Sequence, residues 1–258
     1  MIACALFAFD RPEYLAETLA SLERQTFKDV YWFAFVDGNK LEDSFVGDEK
    51  GRLESIKLLL DSSIEFEEIF MSHKNRGMGK QKLFSHELYD IFDTIVFFED
   101  DMVVSKHYIE VLLSLRDFYP EYEMVTSCDR YNDLEVEDFT EDKLEEVGEW
   151  NTHFWGYLLT KQAASHVTPV LRDYCDVVGE NYYRRPGNLI RNTFGVGSTS
   201  HDGILDKYLK VNGVKRLTTK LPRAKYIGEY GMHCTPGIFR KFFDHPYEWY
   251  EEPFRYDY

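Results

Sequence analysis

The sequence predicts an α/β fold with a mostly parallel, doubly wound central sheet. Short apolar runs alternate with segments of helical periodicity throughout the first half of the chain, at residues 2–9, 30–36, 67–71 and 94–98. Parallel strands need a helix to return the chain, so this β-α-β-α-β-α-β order favours parallel pairing with right-handed crossovers. Polar residues follow several of these runs, at the sheet edge where such folds place ligands.

Each predicted element has its own local signal. Residues 2–9 are apolar without a break, as in a strand covered on both faces. Pro12 is typical of a first helical turn, and leucines follow at helical spacing. The remaining predicted helices cover 51–60, 81–92, 106–118, a segment from 162, and 203–212, and the remaining strands cover 123–127, 156–160 and 226–230.

Three further segments are predicted to be irregular. Residues 75–80 form a glycine-rich loop before the helix at 81–92, and 184–200 form a candidate lid rich in Gly, Asn and Thr. The acidic stretch 133–149 is expected to be an exposed loop or helix, because clustered Asp and Glu usually make a solvated face.

Charge and composition narrow the function. The formal charge of -16 argues against a nucleic-acid or anionic-membrane partner, since phosphates are held by clustered Lys and Arg. The sequence contains no run of roughly 18 consecutive apolar residues, so it predicts no membrane span. The four cysteines lack a CxxC spacing, which indicates reduced thiols and a cytoplasmic protein, with peripheral membrane contact left open.

The acids Glu99, Asp100 and Asp101 directly follow the apolar run 94–98. Three adjacent anions at a strand end repel one another unless a cation neutralises them. Carboxylate oxygens suit Mn²⁺ or Mg²⁺, which keep some waters and bridge to phosphate oxygens. The alternative is a helix-capping acid run, and the position at a strand end within a β-α-β series favours the metal.

Four short segments resemble nucleotide-diphospho-sugar transferases of the GT-A fold, among them N-acetylglucosaminyltransferase I and bacterial family 2 glycosyltransferases. Arg11 to Leu15 resemble the family's R-P-x-Y-L entry, and Glu99-Asp100-Asp101 resemble its E-D-D form of the D-x-D motif. Trp155-Gly156-Tyr157 and Met232-His233-Cys234-Thr235 complete the set, in the family's order.

The resemblance implies a single GT-A domain, with a nucleotide-sugar half (1–104), an acceptor half (105–235) and a tail (236–258). It implies a nucleotide-diphosphate donor, UDP-sugar above others, and a glycan, glycolipid or glycoprotein acceptor. Asp101 is then the direct ligand of Mn²⁺ or Mg²⁺. Glu99 and Asp100 lie near the ribose, Arg11 belongs to the nucleotide site, and His233 completes the metal's coordination or donates to a phosphate oxygen.

Further nucleotide contacts are expected from polar residues after two strands. Asp37 can accept from a base N–H or a ribose hydroxyl, although an Asp-Gly turn explains it nearly as well. Asn75, Arg76 and Lys80 offer donors and positive charge, with a plain glycine loop as the alternative. The G-x-x-x-x-G-K-[ST] pattern of a P-loop is absent from the sequence.

Asp202 is the candidate general base. Displacement at an anomeric carbon requires a carboxylate to accept the acceptor's proton, and the family places such an acid between its Trp-Gly segment and its late histidine. The inference is transfer with inversion. An N-cap role for Asp202 is the alternative, and Glu180 and Asp206 are lesser candidates for the base.

Trp155, Gly156 and Tyr157 are predicted to bind the acceptor, the aromatic rings by stacking on a sugar and the glycine by leaving room for it; core packing is the alternative. Two rival functions remain. A nucleotidyltransferase that makes the nucleotide sugar usually opens with a glycine-rich basic loop, and Asp10-Arg11-Pro12 contains no glycine. A non-catalytic sugar-binding module of the same fold is the other.

Overall fold

The computed structural model describes residues 1–42, 44–127, 143–147, 154–180, 182–231, 234–242, 251–252 and 254. Its strands are β1 (Ile2–Ala8), β2 (Tyr31–Val36), β3 (Phe66–Met71), β4 (Thr94–Glu99), β5 (Met102–Val104), β6 (Tyr122–Thr126), β7 (Leu144–Glu146), β8 (Gly156–Thr160), β9 (Lys215–Thr219) and β10 (Ala224–Tyr226). Its α-helices are α1 (Pro12–Glu23), α2 (Glu49–Asp61), α3 (Gly77–Ser85), α4 (Tyr108–Phe118), α5 (Lys161–Val178), α6 (Gly187–Phe194), α7 (His201–Val211) and α8 (Pro236–Phe242).

Eight of these strands form one sheet in the order β3-β2-β1-β4-β8-β6-β9-β7. The four strands of the first half pair in parallel, as the alternation of strands and helices predicts. Strand β8 runs antiparallel between β4 and β6, and β7 runs antiparallel at the edge. The mostly parallel α/β sheet is therefore confirmed, with two reversed strands that the sequence pattern did not distinguish.

The sheet is covered on both faces because alternate residues of each strand point to opposite sides. In β1, Ala3, Ala5 and Phe7 pack into one apolar core, with α3, α5 and α7. Cys4 and Leu6 pack into the other core, with α1 and α4. This doubly covered arrangement explains why β1 carries no polar residue.

A second, two-stranded sheet lies beside the carboxyl end of β4. Strand β5 follows the acid triplet directly and pairs antiparallel with β10, with Met102 opposite Tyr226. The sequence pattern predicts the last strand at 226–230, whereas β10 covers Ala224–Tyr226, and it predicts neither β5 nor β9. Because β10 pairs with β5, the chain that follows it returns to the acids.

Three further predictions of local structure are wrong. Helix α3 begins at Gly77, so most of the predicted loop 75–80 is helical. The predicted lid 184–200 contains α6, whose end at Gly195 has the left-handed backbone (φ 62°) common after a helix. Of the acidic stretch 133–149, only 143–147 lie among the described residues, and Leu144–Glu146 form β7.

Two sequence expectations concern membrane and redox chemistry. Within the described ranges, no helix combines the length and apolar character needed to cross a membrane. Cys4, Cys175 and Cys234 are buried free thiols. Cys128 lies outside the described residues.

Candidate functional site

Asp100 and Asp101 lie at the carboxyl end of β4 and are almost fully buried, at 3% and 2% exposure. The guanidinium of Arg11, just before α1, binds both: Nη1 donates to Asp101 Oδ2 at 2.7 Å, and Nη2 donates to Asp100 Oδ1. The backbone N–H of Phe9 adds a bond to Asp100 Oδ2 at 3.3 Å. Arg11 thus contacts the predicted metal ligand itself, a contact that no sequence motif indicates.

The two carboxylate oxygens of Asp101 differ in their hydrogen bonding. Its Oδ1 is buried and has no hydrogen-bond partner among the described residues. The chain after β10 closes over the other side: Ile227 N–H donates to the Asp101 carbonyl at 2.9 Å, and a Cβ on Gly228 would lie 2.5 Å from Asp101 Oδ2. Glycine at position 228 is therefore required by this close approach.

Lys82 of α3 joins the acid triplet to Asp202 of α7. Its side chain is fully buried, and its ammonium lies 3.2 Å from Glu99 Oε1 and 3.3 Å from Asp202 Oδ1. It also donates to the carbonyl of Phe154 at 3.0 Å. The structure thereby brings the candidate base and the acid triplet together through a residue that sequence reasoning missed.

Burial and neighbouring charges perturb these carboxyl groups. Burial raises the pKa of Glu99 to about 8, with a further rise from Asp202 and Asp101 that Lys82 opposes. Burial likewise raises the pKa of Asp100 to about 6, against the lowering effect of Arg11. The cluster contains two permanent cations, Arg11 and Lys82. They face the carboxyl groups of Glu99, Asp100, Asp101 and Asp202, so carboxyl groups outnumber cations and a further cation would be attracted.

Asp202 is ionised in this setting. Burial raises its pKa, but His201 and Lys82 together lower the pKa by more than burial raises it. The pKa therefore lies well below its ordinary value. Burial also lowers the pKa of His201, which makes Lys82 the permanent cation beside Asp202 at neutral pH. The helix N-cap is Ser200, whose hydroxyl accepts from Gly203 N–H. The alternative assignment of Asp202 as the cap of this helix is therefore wrong.

Asp37 follows β2 and is buried, at 7% exposure. Its carboxylate accepts from the backbone N–H groups of Gly38, Arg76 and Gly77 at 2.8 Å each, and from the Asn75 amide at 3.2 Å. The carboxylate thereby holds the beginning of α3 against the end of β2. A contact of Asp37 with a nucleotide stays a prediction; its observed contacts are internal.

Arg76 directly precedes α3, and Lys80 lies within its first half. They line a cavity of about 660 Å³ together with Asn75. Asn75 is buried, and its side-chain amide donates to the Gly38 carbonyl at 2.8 Å. Lys80 Nζ lies 3.9 Å from Glu180 Oε1. Residues 80 and 82 point to nearly opposite sides of a helix, so Lys80 lies away from the acid triplet that Lys82 contacts.

The predicted acceptor residues have different positions. Tyr157 is 1% exposed and stacks on Phe97 within the core, so the expectation that it stacks on a sugar is not met. Gly156 leaves room for the hydroxyl of Tyr108, which would lie 3.0 Å from an added Cβ, and not for a ligand. Trp155 is partly exposed and stacks on Tyr226, with ring centroids 4.4 Å apart.

Whether these residues suit a divalent cation is decided at Asp101. His233 lies outside the described residues, and the described part of the chain contains no group of three or more His, Cys, Asp or Glu side chains placed to hold a metal. The unpartnered, buried Asp101 Oδ1 nevertheless fits an ion that takes its other ligands from phosphate and water. The donor set is compatible with Mn²⁺ or Mg²⁺.

Comparison with solved structures shows the same fold in S. aureus TarS, a GT-A family 2 glycosyltransferase. TarS residues 1–349 match with a TM-score of 0.51 and 14% identity, over 89% of this chain and 61% of that chain. The same fragment in complex with UDP matches with a TM-score of 0.44 and 14% identity, over 64% of this chain and 48% of that chain. The complex with UDP-GlcNAc matches with a TM-score of 0.43 and 14% identity, over 64% of this chain and 46% of that chain.

The chain spans less than two thirds of the length of each of these TarS structures. No protein-family model matches it, and no curated protein matches its sequence. At such low identity the likeness concerns the fold alone. The described residues therefore have the GT-A fold, and the chemistry must be argued from the site.

Proposed function

We propose that the protein is a metal-dependent, inverting glycosyltransferase that moves a sugar from a nucleotide diphosphate, a UDP-sugar above others, to a hydroxyl acceptor. The observation that carries the proposal is the buried Asp101 Oδ1, which has no partner among the described residues at the carboxyl end of β4. Leaving a buried carboxylate oxygen unpaired is costly, so its retention favours a role for this oxygen in binding a ligand.

Asp101 would hold Mn²⁺ or Mg²⁺, with His233 as a further ligand, as the family resemblance implies. A bound cation neutralises the charge that grows on the leaving nucleoside diphosphate. Arg11 lies 2.7 Å from Asp101 Oδ2, with 27% of its side chain exposed, and can add a second positive charge near the phosphates. The nucleotide itself would lie at the carboxyl ends of β1 and β4, where the strand order of the sheet reverses.

Asp202 would accept the proton of the acceptor hydroxyl. Its carboxylate is ionised and 33% exposed, so an acceptor can reach it. Its low pKa makes it a weak base in the free protein, and proton transfer then depends on the hydroxyl becoming acidic as the C–O bond forms. A single displacement with one base is the pattern of inversion.

Metal-dependent release of UDP tests the proposal. We expect the wild-type protein to release UDP from at least one of a panel of UDP-sugars in the presence of Mn²⁺, and EDTA to abolish the release. Asp101→Asn should reduce release by at least about 100-fold, as for loss of a key electrostatic group. Asp29→Asn, a surface change, is the control. Equal release with and without metal would refute the metal's role.

A non-catalytic module of the same fold is the second candidate. It is favoured by the ion pairs of Arg11, which already occupy one oxygen each of Asp100 and Asp101. Such a module would bind sugars or nucleotides without a cation and release no UDP. Thermal stabilisation by UDP distinguishes the two, because a transferase should need Mn²⁺ for it.

A further inference from the structure

The ammonium of Lys82 has no hydrogen-bonding capacity left for a substrate. A lysine ammonium has three N–H donors. Three oxygens surround Lys82 Nζ: the Phe154 carbonyl at 3.0 Å, Glu99 Oε1 at 3.2 Å and Asp202 Oδ1 at 3.3 Å. With its side chain at 0% exposure, Lys82 can act only through the groups that it holds.

Those groups come from distant parts of the chain. Glu99 is the last residue of β4, Phe154 precedes β8, and Asp202 lies in the first turn of α7, 120 positions from Lys82. A buried ammonium that contacts both Glu99 and Asp202 fixes their separation, because moving either group away leaves a donor of Lys82 without its partner. Lys82 therefore sets the distance between the acid end of β4 and the beginning of α7.

The contacts of Asp202 leave one side of the carboxylate open. Lys82 Nζ lies 3.3 Å and His201 Nε2 lies 2.9 Å from the same oxygen, Oδ1. Among the described residues, the ion pairs and the hydrogen bond of this carboxylate end on Oδ1, and a third of the side chain is exposed. Oδ2 is accordingly the oxygen that an incoming hydroxyl can meet.

We propose that Lys82 is a positioning residue of the transfer reaction: it holds Asp202 by Oδ1, so that Oδ2 stays ionised and directed at the acceptor. This rests on the proposed function. In the step, the acceptor oxygen forms a bond to the anomeric carbon while its proton moves to Asp202 Oδ2. The bond from the anomeric carbon to the diphosphate oxygen breaks, and its electron pair leaves with the nucleoside diphosphate.

Several titratable groups face Asp202 and enter any pH profile. They are His201 on its own helix, Lys82 of α3, Glu99 of β4, Tyr157 of β8, Tyr174 of α5 and Tyr182 in the turn after α5. Lys82 is the permanent cation of this set. Its removal should therefore raise the proton affinity of Asp202, because His201 is the one other member of this set that can carry a positive charge, and burial lowers its pKa.

The test is the titration of the Asp202 carboxyl carbon by NMR in ¹³C-aspartate-labelled protein, assigned with Asp202→Asn. In Lys82→Met we expect the midpoint to rise by about 1 to 3 pH units. Lys82→Arg keeps the charge and should restore most of the wild-type midpoint. Lys57→Met, an exposed lysine on α2, should leave it unchanged. A wild-type midpoint in Lys82→Met would overturn the proposal.

Lys82→Met leaves Glu99 and Asp202 without their shared partner and can fail to fold. Lys82→Met combined with Glu99→Gln removes one of them, and comparison with Glu99→Gln alone isolates the effect of Lys82. Folding is checked by near-UV circular dichroism. The same shift of at least one unit is expected between these two variants, and coincident midpoints would again overturn the proposal.

UDP release measured on the same samples separates this inference from the proposed function. We expect Lys82→Met to lower release at least tenfold at neutral pH and to move the acid limb of its pH profile upward, with partial recovery in Lys82→Arg. If wild-type protein releases UDP and Lys82→Met keeps its rate and pH profile, the positioning role is wrong. If wild-type protein releases no UDP, the transferase and the role of Lys82 in it both fail, whatever the titration shows.

Discussion

Replacing Asp37 by alanine should destabilise the protein strongly, because this carboxylate holds the beginning of α3. The side chain is 7% exposed and accepts three backbone hydrogen bonds of 2.8 Å, from Gly38, Arg76 and Gly77. Each bond to a charged acceptor contributes about 1.5 to 3 kcal/mol, and the contributions are not additive. Loss of an anion at a helix beginning costs a further ~0.3 to 1 kcal/mol. Because the bonds are not additive, and because burial opposes the ionised form and raises the pKa of Asp37, we expect a net loss of about 3 to 5 kcal/mol.

Urea unfolding followed by circular dichroism measures this free energy directly. Asp37→Asn keeps the shape and one acceptor oxygen but turns an amide toward backbone donors, so an intermediate loss is expected. Asp29→Ala, on the surface, should change the free energy of unfolding by less than about 0.5 kcal/mol. A loss below about 1 kcal/mol in Asp37→Ala would show that these bonds contribute little and refute the reasoning.

Three further perturbations test the site. Gly77→Ala should cost about 2 kcal/mol or more in urea unfolding, because φ is +71° and the new Cβ would lie 2.7 Å from Tyr182 Cβ. Wild-type stability should fall between about pH 5 and pH 8, since burial raises the Glu99 pKa from 4.5 to about 8, and Glu99→Gln should flatten that fall. Arg11→Gln should bind Mn²⁺ more tightly in calorimetry without nucleotide, because the guanidinium no longer occupies Asp100 and Asp101.

Each of these outcomes has a control or a contrary result. Gly197→Ala meets no atom within 4 Å and should be nearly neutral. For Glu99 the neutral form is favoured in the folded state, so its stabilising effect is complete at low pH and is lost as the pH rises; parallel pH curves for wild type and Glu99→Gln would contradict this. Weaker Mn²⁺ binding in Arg11→Gln would show that Arg11 arranges Asp101 for the metal instead of competing with it.

Much of the first half of the fold is determined by the sequence itself. Strands covered on both faces cannot carry polar residues, so β1, β2 and β4 are visible as unbroken apolar runs. The acids after β4 and the Asp-Gly after β2 lie at strand ends for the same reason: polar groups begin where the covered sheet stops. The GT-A resemblance of these segments agrees with the fold that the TarS comparison shows.

Lys82 shows what only the tertiary structure decided. In the sequence it is one of two lysines near a helix start, and no periodicity distinguishes it from Lys80. Which of the two lysines faces the acid triplet depends on where α3 begins. Asp37 sets that beginning, because it binds the backbone of Arg76 and Gly77. With α3 beginning at Gly77, Lys82 faces inward to Glu99 and Asp202, while Lys80 faces Glu180.

The same limit applies to the residues around the acids. Tyr157 and Gly156 look like ligand contacts from their motif, but the antiparallel insertion of β8 between β4 and β6 buries both. Local sequence fixes which segments are strands, because that depends on side-chain pattern. It does not fix their order in the sheet or which polar side chains meet, because those depend on contacts between residues far apart in the chain.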